Sequence, residues 1–261
     1  MDSVARFILF QALIIVPFCL GFFTKRRYAH PETLTKGIIR ANLTVFEPLI
    51  VFWSIWGLEM NTELWFLPFS GVLMVMAGMV IGAVLARIRG LAERPRATFI
   101  ISSSLANHGF TMGGFLCYLL LGEKGLALSF IFLSYFMPFI FLVIFPYARL
   151  AQTGARSHPG FIKDFILNRQ NMPLYALMAA IALRLFGCER PAAYFPTDML
   201  LMISIGLYYF SLGINFALGD LWAYNRDNLL LCLVRFFMVP SLTVLALSGV
   251  RLDPGIEIVI L

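Results

Sequence analysis

The chain has 261 residues, of which 60% are hydrophobic and only 13% charged, and its mean hydropathy is +0.85. A soluble domain carries roughly 25% charged residues. Half that amount cannot cover a water-facing surface, so composition excludes a soluble globular domain and points to an all-α polytopic membrane protein. The formal net charge of +6 belongs to a few basic loops, which speaks for membrane topology and against a nucleic-acid partner.

Apolar runs of about 20 residues, the length that crosses a bilayer, lie near 7–23, 38–58, 64–86, 97–121, 125–148, 172–187, 197–218 and 228–250. A ninth begins near 254. Backbone groups in lipid must be bonded within the segment, so each run is expected to be helical. The ten-residue alternation of a membrane barrel is absent. The first run is long, has Asp2 and Arg6 before it and its basic cluster after it. It therefore reads as a first span and not as a cleaved signal peptide.

Loop charge sets an orientation. Lys25, Arg26, Arg27, Lys36 and Arg40 follow the first span, Arg87, Arg89, Arg94 and Arg96 the third, and Arg149, Arg156, Lys163 and Arg169 the fifth. The loop after the second holds Glu59 and Glu63 and no basic residue, and that after the fourth only Glu123 and Lys124. Basic loops stay on the cytoplasmic side, so the expected N-terminus is outside, in a plasma or inner membrane. The loop after the seventh span, with Asp220, Arg226 and Asp227, is ambiguous.

A polar stretch at 153–171 separates five spans (1–152) from an incomplete second set (172–261). It reads as a cytoplasmic linker. Five is odd, so a second copy would be inverted, an arrangement common in secondary transporters. Weak echoes in order accompany the count. The first and sixth spans each carry a proline, Pro17 and Pro173; Gly82-Ala83 before Arg87 parallels Ser248-Gly249 before Arg251. On this reading the ninth span is cut at Leu261 and a five-plus-five protein needs roughly 50 further residues.

The most polar intramembrane stretch is Ser102-Ser103-Ser104-Leu105-Ala106-Asn107-His108-Gly109-Phe110-Thr111-Met112-Gly113-Gly114. Each glycine weakens a helix by about 1 kcal/mol relative to alanine. A helix broken here frees backbone groups, which survive at membrane depth only beside protein or a water-filled cavity. The N–H end of a following half-helix attracts an anion. Small residues also let helices pack closely, which is the plainer use of the three serines.

Asn107-x-Gly109-Phe110 followed by Gly122-Glu123-Lys124-Gly125-Leu126-Ala127 resembles the fourth and fifth spans of the auxin efflux carrier family of permeases. Asn42 to Pro48 resembles that family's second span, and Asn171-x-Pro173-Leu174 the start of its sixth. Ser211-Leu212-Gly213 resembles the end of its seventh, and Arg235 with Pro240 its eighth. The resemblance implies a ten-span fold of two inverted repeats whose fourth and ninth spans break and cross, with the substrate at the crossing. It places Asn107 beside a substrate carboxylate. Ser104, Asn107, Gly109, Gly113 and Gly114 form the candidate substrate-binding set. The chain departs from the family at Met112, usually glycine, and at Gly114, usually proline.

Glu47 before Pro48 and His108 are candidates for proton or cation coupling, because an ionisable side chain inside a membrane is costly and tends to be functional. A carboxylate reaching the interface or pairing with a nearby arginine is the plainer reading of Glu47. Arg235 is assigned a structural role. Trp53, Trp56 and Trp65 are assigned interfacial anchoring, and Pro17, Pro138 and Pro240 helix kinks. Cys19, Cys117, Cys188 and Cys232 show no metal-ligand or disulfide spacing.

The expected function is a secondary transporter of a small organic anion such as a carboxylate, with H+ or Na+ as coupling ion and a homodimer left open. The alternatives are a sodium-coupled carrier of the bile-acid symporter kind and a non-transporting sensor or scaffold of the same fold. No enzymatic motif, metal site or cofactor is expected.

Overall fold

A computed structural model describes residues 3–28, 30–105, 110–153, 165–217, 224–250 and 252–261. Every regular element among them is helical. In chain order these are α1 (Ser3–Thr24), α2 (Pro31–Ala41), α3 (Glu47–Trp56), α4 (Phe66–Ile88), α5 (Glu93–Ser104), α6 (Phe115–Leu133) and α7 (Phe136–Phe139). Then follow α8 (Phe145–Thr153), α9 (Met172–Leu185), α10 (Thr197–Asn215), α11 (Asn225–Leu233), α12 (Val239–Leu247) and α13 (Pro254–Ile260).

Five continuous stretches are long and apolar enough to cross a membrane by length and composition: Pro31–Trp56, Thr62–Ile88, Thr111–Gln152, Thr197–Asn215 and Asn225–Leu247. The third has 42 residues, about 63 Å of helix at 1.5 Å per residue and twice the hydrocarbon thickness of about 30 Å. It is broken at Gly122, whose φ of 65° and ψ of −150° are not helical. The break falls between the runs at 97–121 and 125–148.

Wide π-helical turns recur at one offset from a proline. Asn42–Phe46 precedes Pro48, Ile140–Ile144 precedes Pro146, and Val234–Met238 precedes Pro240. Each turn runs from six to two residues before the proline. The cause is steric. A proline ring clashes with the carbonyl four residues back and offers no N–H to it, and widening the turn relieves both. A fourth such turn, Phe110–Gly114, has no proline after it and ends in Gly113 and Gly114.

The outer faces are apolar. On α4, Phe69, Leu73, Met76, Val80 and Val84 are exposed at helical spacing, while Leu67, Met74, Val75, Gly78, Gly82 and Ala86 are buried. Leaving five such half-exposed side chains in water costs roughly 4–8 kcal/mol, half of the about 1.5–3 kcal/mol that full exposure of each would cost, a large part of the whole stability of a domain. Lipid removes that cost.

The chain packs as two compact units. The first comprises Met1–Glu59, Tyr118–Ala127 and Asn168–Leu218, the second Met60–Cys117, Leu128–Leu167 and Gly219–Leu261. Each draws on both sides of the 153–171 stretch.

In the first unit α1 lies along α10, and two glycines make the approach close. A β-carbon at Gly21 would collide with the Phe210 carbonyl, and one at Gly213 with the Phe18 carbonyl. Phe18 and Phe22 meet Phe216 edge-on at 5.2 and 6.2 Å. Lys25 Nζ donates to the Phe216 carbonyl at 2.7 Å. Helix α3 packs against α9 and α10.

In the second unit α4 packs against α5 around Ala86, Phe99 and Ile100, with Met79, Leu91, Tyr147 and Leu230 completing the cluster. Arg89 and Asp227 join the end of α4 to the start of α11 at 3.0 Å. Helix α13 contacts α4 and buries Ile256 and Ile260.

Candidate functional site

The interruption of the fourth apolar run lies in the second unit. Helix α5 ends at Ser104, and Leu105 leaves helical geometry with φ −83° and ψ 85°. Helical structure is present again at Phe110, in the π-helical turn Phe110–Gly114 that leads into α6. Asn107, His108 and Gly109 lie outside the described residues. Gly113 is half-buried, Gly114 buried and Met112 exposed.

The three serines before the break have separate structural uses. Ser103 Oγ donates to the Gly78 carbonyl at 3.0 Å and to Ile100 at 2.8 Å. Gly78 and Gly82 leave room for it, since a β-carbon at either would meet Ser103. Ser104 is buried, and its Oγ donates to the Ile101 carbonyl of its own helix at 2.8 Å. The candidate binding residue Ser104 thus has its hydroxyl proton engaged within α5. Ser102 contributes its carbonyl, which accepts from Arg235 Nε at 2.7 Å and from Nη2; the same Nη2 also donates to the Leu105 carbonyl.

Arg235 sits in the π-helical turn Val234–Met238. The structural role expected for it is met as a cap on the carbonyl end of α5. Helix ends leave carbonyls without intrahelical donors, and at membrane depth those groups need partners from elsewhere.

Glu47 lies in the first unit. It follows the turn Asn42–Phe46 and is buried, at 7% exposure. Its Oε1 accepts from the Tyr208 hydroxyl at 2.6 Å. The partner is therefore a tyrosine on α10 and not a neighbouring arginine. Asn42, fully buried at the start of the same turn, donates through Nδ2 to the Ser204 carbonyl at 2.9 Å. Glu47 and Asn42 both face α10, one turn apart from Ser204 to Tyr208. Sequence reading singled out Glu47 but not Tyr208, which looks like any other aromatic in an apolar run.

A cavity of about 460 Å³ in the first unit is lined by Trp53, Tyr118, Glu123, Arg190, Phe195 and Asp198 among others. Its charged groups have partners within the lining. Arg190 pairs with Glu123, donates to the Trp53 carbonyl at 3.2 Å and lies 5.1 Å from the Trp53 ring. Tyr118 donates to Asp198. Trp53 stacks on Phe195 at 4.6 Å, and Trp56 Nε1 donates to the Cys188 carbonyl at 2.9 Å. Two of the three tryptophans assigned to anchoring thus hold the 187–197 loop, whereas Trp65 is exposed. Cys117 is buried and Cys19 half-buried, but Cys188 and Cys232 are exposed.

Comparison with known proteins gives one family. The family model described as "Membrane transport protein" matches residues 9–163, more than half of the chain. The match spans α1 to the end of α8 and includes the interruption after Ser104. Neither the curated proteins nor the solved structures gave a match.

Proposed function

Because this chain belongs to the membrane transport protein family of auxin-efflux-carrier permeases, we propose that it is a secondary transporter that moves a small organic anion, such as a carboxylate. The members of this family are transporters and not enzymes. The observation that carries the proposal is the interruption between Ser104 and Phe110, in an apolar run long enough to cross the membrane. A break at membrane depth exposes backbone groups that can serve a ligand, and the N–H end of the helical segment that follows favours an anion.

The proposed substrate set is Asn107, Gly109, Gly113 and Gly114, with Ser104 shaping the wall through its backbone. Glu47 and His108 are the proposed carriers of a coupling proton or cation. The burial of Glu47 and its bond to Tyr208 support a role that needs a carboxyl group away from water. The proposed topology has two inverted five-helix repeats, residues 1–152 and 172 onward, an outside N-terminus and a place in the plasma or inner membrane. The basic loops support that orientation.

The test is uptake of labelled dicarboxylates and aromatic acids into proteoliposomes, with the unaltered chain and with Asn107→Ala. Loss of a hydrogen bond to a charged group should slow uptake roughly tenfold or more. Uptake indifferent to the substitution would remove Asn107 from the site. Absence of flux for every acid would favour a sensor or scaffold of the same fold.

A further inference from the structure

Four carbonyls at the end of α5 have identified partners. Ile101 accepts from the Leu105 N–H at 3.0 Å and from Ser104 Oγ at 2.8 Å. Ile100 accepts from Ser103 Oγ at 2.8 Å. The carbonyls of Ser102 and Leu105 are both taken by a single guanidinium, that of Arg235. Both lie on the N-terminal border of the interruption. They also carry the partial negative charge of the helix end.

Among the described residues no carboxylate forms an ion pair with Arg235. A full positive charge within an apolar run is costly unless dipoles or anions answer it. Here the backbone dipoles of α5 do so. Carbonyl oxygens converging on a positive charge are also how a dehydrated alkali cation is held. Arginine cannot lose its proton in a protein, so this charge is permanent.

We propose that Arg235 is a tethered cation. It occupies the carbonyl end of the interrupted span, where a free monovalent cation would otherwise be held, and it positions the break by fixing Ser102 and Leu105. It is a positioning residue: it acts on the backbone beside the proposed substrate set and is assigned no contact with substrate. The inference stands on the packing of the second unit and does not depend on which substrate, if any, is carried.

The test is thermal melting of the purified protein in detergent, in sodium, potassium and choline chloride at equal ionic strength. The unaltered protein should melt at one temperature in all three. Arg235→Ala should melt lower by roughly 5–10 °C in choline, and sodium or millimolar methylguanidinium should restore at least half of the loss. Arg235→Lys, which keeps a charge, should stay close to the unaltered protein and be indifferent to the cation. A loss in Arg235→Ala that no cation restores would mean only lost packing of the side-chain stem, and would overturn the proposal. If Arg235→Ala does not fold, Arg235→Lys and Arg235→Gln decide. Glutamine keeps a donor without charge and should melt below lysine, and the reverse order would overturn the proposal. Transport assays of the same variants are separate, so failure of the transporter reading leaves this result standing.

Discussion

The Tyr208 hydroxyl donates to Glu47 Oε1 across 2.6 Å, joining α10 to the start of α3, with Glu47 buried and Tyr208 half-buried. Removing the hydroxyl should leave a buried carboxyl group without its donor, at a cost of about 1–3 kcal/mol. Tyr208→Phe is expected to lower the melting temperature, and Glu47→Leu with Tyr208→Phe to recover part of the loss. A double-mutant cycle measures the coupling. A cycle that closes at zero would show that the two side chains do not stabilise each other.

Glu47 is the described side chain proposed to carry a proton in transport. If it does so, Glu47→Gln keeps the shape and a hydrogen-bond acceptor but cannot change charge. Uptake by this variant should lose its dependence on external pH while keeping a measurable rate. A pH profile that matches the unaltered protein would remove Glu47 from coupling and leave it as a packing residue.

Arg190 makes more contacts than its ion pair alone, since it also bonds the Trp53 carbonyl and covers the Trp53 ring. Half-exposed ion pairs contribute little, about 0.2–1 kcal/mol, and weaken in salt. Glu123→Gln should therefore cost under about 1 kcal/mol, with the difference fading at high salt. Arg190→Ala should cost more, roughly 1–3 kcal/mol, because it also strips a buried carbonyl and a cation–π contact. Melting curves at low and high salt separate the two, and equal costs would contradict the geometry.

Two glycines on helices should respond in opposite directions to the same change. Gly21 is pressed against the backbone of α10 at Phe210, which cannot yield as a side chain would. Gly21→Ala should cost about 1–3 kcal/mol through overpacking. Gly37 in α2 has nothing within 4 Å of an added β-carbon. Gly37→Ala should be neutral or stabilising by up to about 1 kcal/mol, the helix-propensity difference. Paired melts of the two variants provide the check, and a stabilising Gly21→Ala would refute the close α1–α10 packing.

The helical class and the apolar stretches were legible from residue order because lipid imposes a local rule. Twenty apolar residues in a row must form a helix, and this holds whatever the neighbours are. The break after Ser104 was legible for the same reason, since hydroxyls and glycines in such a run oppose a continuous helix. Of the prolines assigned to kinks, Pro240 is preceded by a widened turn; Pro48 and Pro146, not singled out for this from the sequence, are preceded by the same turn.

The partners were not legible, because they join residues far apart in the chain. Nothing local to Arg235 indicates that its charge is met by the carbonyls of Ser102 and Leu105, and nothing local to Glu47 indicates Tyr208. The same holds for Trp53 and Trp56, which hold a loop more than a hundred residues away. The sequence by itself determined a helical membrane protein with one interrupted span, through constraints that each segment meets alone. Only the tertiary structure decided how its intramembrane charges and helix ends are satisfied, because in a medium without water a group that its own segment leaves unbonded must take its partner from another part of the chain.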